Sequence, residues 1–396
     1  MSIKTLYLKP RKEESLLRFH PWVFSGAVAR MSAQPQEGEL VAVCSHQGDI
    51  LGVGHYQIGS ITVRILEFGT DHLSADFWIK RISDAYSVRQ ALGLISAANN
   101  TYRLIHGEGD FLPGLIVDIY DDTAVMQAHS VGMHLNRLEI AKVLMQVVKG
   151  LKNVYYKSES TLPFKAPIPA QERCDTYLIG SEGSCISKEN GLLFQIDWLR
   201  GQKTGFFIDQ RVNRSLVGKY AAGRKVLNMF CYTGGFSIYA MQGGANRVDS
   251  VDSSEKAIEL VKSNMQLNFG EDSRHQEFAV DAFDFLNDNI RDLYDLIVLD
   301  PPAFAKHRDS IRHALQGYIR LNAKGFRLIK HDGLMFTFSC SQAIDKDMFR
   351  QAVFTAAAQS GRRVRILRQL HQPADHPINI YHPEGEYLKG LMLWVE

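Results

Sequence analysis

The sequence predicts a multidomain fold: a β-rich barrel at the amino terminus, a central α+β domain, and a carboxyl-terminal α/β domain on a Rossmann-like parallel sheet. Three observations lead there. In the second half, short apolar runs alternate with stretches of helical period, the pattern of a parallel sheet with crossover helices. Four successive runs there end in polar residues: 225–229 before the loop Phe230-Cys231-Tyr232-Thr233-Gly234-Gly235, 247–251 before Asp252, 278–280 before Asp281, and 296–299 before Asp300. Residues 3–68, by contrast, carry short apolar or alternating runs separated by Gly-containing turns such as Gln47-Gly48-Asp49.

The chain has 396 residues with 45% hydrophobic content, enough for two or three cores. Lys+Arg 45 against Asp+Glu 43 gives a net charge of +2, so any surface for a polyanion is local. Five cysteines without regular spacing read as reduced thiols, neither a disulfide framework nor a zinc site, and no metal is expected. The start, Met1-Ser2-Ile3-Lys4-Thr5, lacks a signal-peptide core, and no apolar run is long enough to span a bilayer. The expected location is cytoplasmic, with no membrane partner.

In order, the first domain spans 1–72. Its runs at 6–8, 40–44, 51–56 and 61–66 read as strands. Arg11, Lys12, Arg18 and His20 interleave there with Phe19, Trp22 and Phe24. Such a mixture suits phosphate contact and base stacking in RNA, or a small barrel with aromatic core and solvated charges. The central domain, 73–195, opens on a helix over 74–97, where Phe77, Ile79, Ile82, Ala85 and Tyr86 recur at helical spacing. The loop 107–110, a strand at 115–119, a helix at 135–148 and a strand at 153–157 follow. Residues 177–179 and 192–196 are expected to pair as strands. Glu108 and Asp110, in a Gly-rich loop, read as turn formers.

The last domain, 196–396, begins with Gly201-Gln202-Lys203-Thr204-Gly205-Phe206, where Thr204-Gly205 starts a helix running to residue 220. Helices are expected at 236–242, 255–269, 309–329 and 345–360. A fifth strand, 334–338, ends in Ser339-Cys340-Ser341. The final strands, 364–369 and 387–395, have no helix between them and predict an antiparallel edge.

The chemistry gathers at the strand ends, the usual ligand crevice of such a sheet. Paired glycines allow close backbone approach, and the following helix start offers free N–H groups. Asp252 stands where nucleotide-binding sheets place an acid for ribose hydroxyls. Asp300-Pro301-Pro302 makes a rigid exit whose carbonyls are free to accept hydrogen bonds from a flat base, with Phe304 close behind. Lys306 and Arg308 follow, where a polyanion would enter. Cys340 is either a nucleophile, if a polar strand end lowers its pKa, or an inert buried thiol.

Asn228-Met229-Phe230-Cys231-Tyr232-Thr233-Gly234-Gly235-Phe236 resembles the first cofactor motif of class I S-adenosylmethionine-dependent methyltransferases, and Asp252, Asp281 and Asp300-Pro301-Pro302 resemble their next three motifs. Gly201–Phe206 with Asp209-Gln210-Arg211 narrows the likeness to bacterial ribosomal RNA large-subunit methyltransferases. Ser339-Cys340-Ser341 and the tail Ala374-Asp375-His376-Pro377…Pro383-Glu384-Gly385…Tyr387-Leu388-Lys389-Gly390 are similar to the 23S ribosomal RNA cytosine-C5 methyltransferase family. That family carries a PUA domain, a central α+β domain and the methyltransferase domain, and the likeness covers nearly the whole chain.

The resemblance implies S-adenosylmethionine as cofactor and 23S ribosomal RNA, or its large-subunit precursor, as partner, with a homodimer the form relatives tend to take. Asp252 and Ser253 would hold the ribose, and Asp281 and Ala282 the adenine. Asn228, Phe230, Tyr232, Thr233, Gly234 and Gly235, with Thr204, Phe206 and Asp209, would surround the methionine part. Asp300, Pro301 and Pro302 would hold the base, with Phe304, Lys306 and Arg308 along the RNA. Cys340 would attack cytosine C6, since C5 has no lone pair to offer, and a base would then take the C5 proton. Pro302 stands where some relatives have a second cysteine, leaving Glu384 as a candidate for that base. Ala303 stands where relatives often have lysine. The alternatives are transfer to a guanine nitrogen, which needs no thiol, and an RNA-binding assembly factor without catalysis.

Overall fold

The computed structural model describes residues 3–163, 166, 168–286, 292–305 and 308–396. The chain divides into two compact units, each drawn from separate stretches. The first comprises Met1–Gly191, Ile196–Ile208 and Ala374–Gly385; the second comprises Leu192–Gln195, Asp209–Pro373 and Glu386–Glu396.

In the first unit, β1 (Lys4–Leu8), β2 (Trp22–Phe24), β3 (Val28–Met31), β4 (Leu40–Cys44), β5 (Ile50–Tyr56) and β6 (Ile61–Phe68) form a sheet in the order β2-β6-β5-β4-β1-β3. β1 and β4 run parallel, and the other neighbours are antiparallel. The alternating residues Leu6, Leu8, Val41, Val43, Val63 and Ile65 turn inward to one small core.

A second sheet runs β11-β10-β9-β8-β7, from β7 (Thr101–His106), β8 (Leu115–Tyr120), β9 (Thr123–Ala128), β10 (Asn153–Tyr156) and β11 (Thr176–Ile179). The helix expected at 74–97 is shorter, α1 (Phe77–Ala91), and packs on α2 (Arg137–Val147) through Phe77, Trp78, Ile82 and Tyr86. Residues 177–179 pair antiparallel with β10, not with 192–195 as the turn at Asn190-Gly191 suggests. The register of that pair shifts between Val154 and Tyr155.

The first unit also captures two distant segments. Lys157 Nζ donates to the carbonyls of Trp198 and Gly201, which pins residues 196–208. Arg89 is fully buried, forks onto both carboxylate oxygens of Asp110, and donates to the carbonyls of Asp375 (2.8 Å) and Arg103 (2.8 Å). Asp110, read from sequence as a turn former, is the counter-charge of a buried arginine. Asp375 Oδ2 in turn accepts the Arg103 N–H at 3.0 Å.

The second unit is a seven-stranded sheet. Its strands are β12 (Lys225–Met229), β13 (Arg247–Asp252), β14 (His275–Ala279), β15 (Tyr294–Leu299), β16 (Ile329–Ser339), β17 (Val364–Leu370) and β18 (Lys389–Val395). The order is β14-β13-β12-β15-β16-β18-β17. The first five are parallel, and β18 lies antiparallel between β16 and β17, the antiparallel edge expected from the absent crossover helix. Strand order reverses between β12 and β15, and at such a switch point ligands bind beyond the carboxyl ends. α3 (Arg211–Tyr220), α4 (Gly235–Gln242), α5 (Glu255–Phe269), α6 (Ile311–Leu328) and α7 (Lys346–Ser360) alternate with the strands. Leu227, Ile297, Leu299, Tyr318, Phe326, Met335 and Phe349 form the core that holds the sheet ends in place.

Candidate active site

The loop after β12 is tight. Phe230 (φ 58°), Tyr232 (φ 47°) and Gly234 (φ 80°) all take positive φ, a conformation costly for the two aromatics and easy for glycine. A Cβ on Gly234 would stand 3.2 Å from Val261, so the turn is close as well as left-handed. Gly235 opens α4, whose first amides face the crevice. Beneath the loop, Asn228 donates to Ser237 at 2.9 Å, while its Oδ1 is buried with no partner among the described residues. Thr233 is buried, and its carbonyl accepts from Asn264 Nδ2 at 2.9 Å.

Asp252 closes β13. Its Oδ2 accepts the Tyr232 N–H at 2.9 Å and its Oδ1 the Ser254 N–H at 2.9 Å, so the acid fixes the glycine loop while its carboxylate stays partly exposed beside exposed Ser253. Asp281 is exposed and accepts the Phe283 N–H at 2.7 Å ahead of buried Ala282.

A second cluster sits at the ends of β15 and β16. Asp300 follows β15, and its Oδ2 accepts from Gln210 Nε2 at 3.0 Å. Gln210 is itself oriented by Asn213, which donates to Gln210 Oε1 at 2.6 Å. Burial, and then the negative charge of Asp209, push the Asp300 carboxyl up to about 7. Asp209 accepts the Tyr387 hydroxyl on Oδ2 at 2.6 Å, while Oδ1 is buried and unpartnered among the described residues. Two acids are therefore crowded together with one oxygen unanswered.

Cys340 follows β16 and is partly exposed. Its neighbours hold it firmly. Ser339 Oγ donates to the Tyr318 hydroxyl at 2.9 Å, and Ser341 Oγ lies 3.1 Å from the same oxygen. Ser341 Oγ also accepts the Ala305 N–H at 3.3 Å, which links the Asp-Pro-Pro turn to the Cys340 segment. Lys389, at the start of β18, donates from Nζ to the carbonyls of Ser341 and Tyr387, each at 2.6 Å. The expectation that a polar strand end lowers the thiol's pKa is overturned. Burial first, then the charges of Asp300 and Asp209, push it up to about 12, with Lys389 acting in the opposite sense.

Other expected residues belong to the first unit or follow Asp300 directly. Thr204 and Phe206 belong to the first unit and are buried. Thr204 Oγ1 donates to Asp118 Oδ2 at 2.6 Å and lies 3.0 Å from the Tyr120 hydroxyl. No helix begins at Thr204. Lys203 (φ 52°) and Gly205 (φ 112°) turn the backbone the wrong way, and α3 starts at Arg211. Glu384 is also in the first unit, half-exposed, 3.6 Å from His20 Nε2 and 3.7 Å from His382 Nε2. Pro301 is buried and Pro302 exposed, whereas the Phe304 ring packs 4.8 Å from Tyr318. Lys306 lies outside the described residues, as does the side chain of Arg308. Tyr318 and Lys389 are functional candidates that periodicity does not reveal. The signals for Lys389 were its place in the tail Tyr387-Leu388-Lys389-Gly390 and its charge in an otherwise apolar strand.

In the first unit the aromatic set divides. Trp22 donates from Nε1 to Glu108 at 2.8 Å and its ring packs 4.3 Å from His382. Phe19, Phe24 and Tyr381 are each nearly half exposed.

A strand-end acid, a glycine turn at the switch point and an Asp-Pro-Pro exit are the marks of a nucleotide-cofactor transferase. The S-adenosylmethionine-dependent methyltransferase family matches residues 174–384, more than half of the chain, and a PUA-like domain matches residues 6–68. The sequence is 37% identical to the ribosomal RNA large subunit methyltransferase I of Tolumonas auensis, over 98% of both chains, and 37% identical to that of Alteromonas mediterranea, over 97% of both. The chain therefore belongs to the ribosomal RNA large subunit methyltransferase I family, whose cofactor is S-adenosylmethionine. Its fold is shared with a candidate SAM-dependent methyltransferase from Streptococcus mutans (TM-score 0.83, 22% identity, 99% of this chain and 100% of that one). SMU.776, a candidate methyltransferase crystallised with SAH, is equally similar (TM-score 0.84, 23% identity, 99% and 100%). Among the described residues no helix is long and apolar enough to cross a membrane.

Proposed function

We propose that the protein methylates C5 of a cytosine in large-subunit ribosomal RNA, through a covalent bond between Cys340 and C6. The observation that carries this reading is the placement of Cys340. It is braced by Ser339, Ser341 and Tyr318 at the end of β16, with Asp300 of the Asp-Pro-Pro turn as its strongest charged neighbour.

The second unit fits the cofactor. S-adenosylmethionine carries a sulfonium and an ammonium charge, and Asp209, whose charge acts on Asp300, offers a buried oxygen with no partner among the described residues. Asp252 and Ser253 take the ribose, Asp281 and Ala282 the adenine, and Asn228 with Phe230–Gly235 the methionine end. Bound there, the cofactor supplies the methyl group. Its positive charge would also oppose the two acids that, after burial, keep the Cys340 thiol protonated.

The chain's own residues do the rest. The Cys340 thiol loses its proton, and Asp300, poised near pH 7, has the acidity of a proton carrier. Sulfur bonds to C6 as the C5–C6 π pair shifts to C5, and C5 would then take the methyl group as that group's bond to the cofactor sulfur breaks. The C5 proton leaves to a base, its electron pair re-forms the C5–C6 double bond and expels the sulfur, and the released thiolate takes its proton back from the carrier. The carbonyls of Pro301 and Pro302 accept hydrogen bonds from the exocyclic amine. Exposed Phe19 and Phe24 give the PUA-like domain, within a 1–72, 73–195 and 196–396 division, rings on which bases can stack. The protein works in the cytoplasm on 23S RNA or its precursor, and the homodimer is the assembly we assign.

One observation favours a second reading, transfer to a guanine nitrogen: a thiol held up to about 12 is a poor nucleophile until it is activated. Cys340→Ala decides between them. Bisulfite sequencing of ribosomal RNA from a deletion strain is expected to lose one methylated cytosine, restored by the wild-type gene and not by the alanine variant. RNA containing 5-fluorocytosine is expected to trap a covalent adduct. Full activity of the alanine variant would sink the cytosine reading.

A further inference from the structure

Lys389 is about as buried as the apolar residues that follow it in β18. It stands directly opposite Ser339 in the antiparallel register with β16, one residue from the thiol. Taking an ammonium out of water costs several kcal/mol, on the order of what one folded domain can spare. Such a group persists only where something holds it. Here two neutral carbonyls do so, those of Ser341 and Tyr387 at 2.6 Å, and they fix the nitrogen without neutralising it.

The charged groups that face Lys389 are Cys340, Asp345, Glu386 and Lys346. Asp345 is occupied in capping α7 through the Met348 N–H at 2.8 Å, and Glu386 is ion-paired with Lys346. The thiol is the anion-capable neighbour with no such commitment. Asp300, Asp209 and Tyr318 face Cys340 as well, and each of them disfavours a negative sulfur or is disfavoured by one. Lys389 is the cation set against them.

We propose that Lys389 is the positioning residue for Cys340: its fixed ammonium holds the thiolate form of the sulfur and, through Ser341, the segment that carries it. The functional consequence rests on the cytosine reading above, but the effect on the sulfur does not. Loss of the charge lowers the thiolate fraction at a given pH. Hydrogen bonding to the carbonyls alone cannot replace that effect.

The test uses full-length protein without ligand, alkylated with iodoacetamide between pH 7 and 9.5, with Cys340 modification read by peptide mass spectrometry. Below its pKa, the rate follows the thiolate fraction. Lys389→Met is expected to slow Cys340 alkylation about tenfold or more at pH 7, the equivalent of one unit, with the difference shrinking toward pH 9.5 because burial lowers the lysine's own pKa to about 8, while Cys174 and Cys185, both exposed, react as before. If Lys389→Met does not fold, Lys389→Gln serves, since it keeps an N–H donor for the carbonyls and removes the charge. An unchanged Cys340 rate in a folded variant overturns the proposal. Trapping on 5-fluorocytosine RNA is run beside it. Slowed alkylation without any wild-type adduct keeps Lys389 in this role and removes the cytosine reading; an adduct with unchanged alkylation does the reverse.

Discussion

The two units each bury a cluster of ionisable groups, and the clusters are built on opposite plans. In the first, the guanidinium of Arg89 meets a carboxylate and three carbonyls, and Asp110 takes the His106 N–H at 2.6 Å in addition. Every charge there has its opposite, and the geometry ties α1, β7 and the segment 374–385 into one body. In the second, like charges are crowded. Asp209 adds to the cost that burial puts on charging Asp300, Asp209 has a buried oxygen with no partner among the described residues, and the thiol and lysine nearby are both driven toward their neutral forms. A buried charge that is fully answered holds a fold. One left unanswered stores free energy that a ligand of the opposite charge can release.

That contrast can be broken at its strongest point first. Arg89→Met removes one half of a satisfied pair and leaves Asp110 buried alone, so it is expected to cost about 3–5 kcal/mol of stability. The activity of the protein that remains folded should hardly change. Urea unfolding with an activity assay checks both halves, and a stability loss under about 1 kcal/mol would dissolve the distinction between the clusters.

Asp300→Asn should do the opposite, gaining stability and losing function. The folded carboxyl keeps its proton up to about 7, whereas an unfolded one releases it near 3.8. Between those values the native state binds more protons than the unfolded state, so wild-type stability falls as pH rises from about 4 to about 7 and the penalty then stays constant. The asparagine variant is expected to melt higher than wild type at pH 8, by roughly 2–4 °C for each kcal/mol relieved, and to match it at pH 4. Equal gains at both pH values would mean that the acid is not held out of its ordinary range. Methyl transfer should fall at least about a hundredfold, the usual scale for a lost proton-transfer group.

The smallest effect is expected at Glu384. Its half-exposed carboxylate lies beside His20 and His382. Glu384→Gln should leave the release of tritium from C5-labelled RNA within about threefold, since exposed pairs are worth under about 1 kcal/mol. A loss of a hundredfold would instead make Glu384 the acceptor of the C5 proton.

The sheet was largely legible. Parallel strands at 225–229, 247–252 and 294–299 announce themselves because both faces are covered and apolar residues run together. The polar residues at their ends were legible for the same reason, since a run that stops at Asp252 or Asp300 has reached solvent or a ligand. β16 was read as starting at 334, because His331-Asp332-Gly333 looks like a turn. In the structure the strand runs from Ile329 through an irregularity, with Asp332 at φ 61°, against a partner whose register shifts between Tyr294 and Leu296. What stayed hidden depends on partners far apart in sequence. Thr204 looks like a cap, yet its hydroxyl is spent on Asp118, and Trp22 looks like a stacking platform, yet it is bound by Glu108 and His382. The acidity of Cys340 stayed open in the sequence because burial sets it first, and the two acids that add to it, Asp300 and Asp209, come from distant stretches.

The partners of Arg89 also set a timetable for synthesis. The carbonyl of Asp375 that completes its shell lies 286 residues downstream. At roughly 5–20 residues per second, a ribosome needs roughly 15–60 s to cover that distance. Throughout that interval the emerging amino-terminal half carries an arginine whose final partner has yet to be translated. Vectorial folding of this chain must therefore pause with its first body unfinished, and a nascent-chain protease assay should find that body cleavable until the segment 374–385 has cleared the exit tunnel.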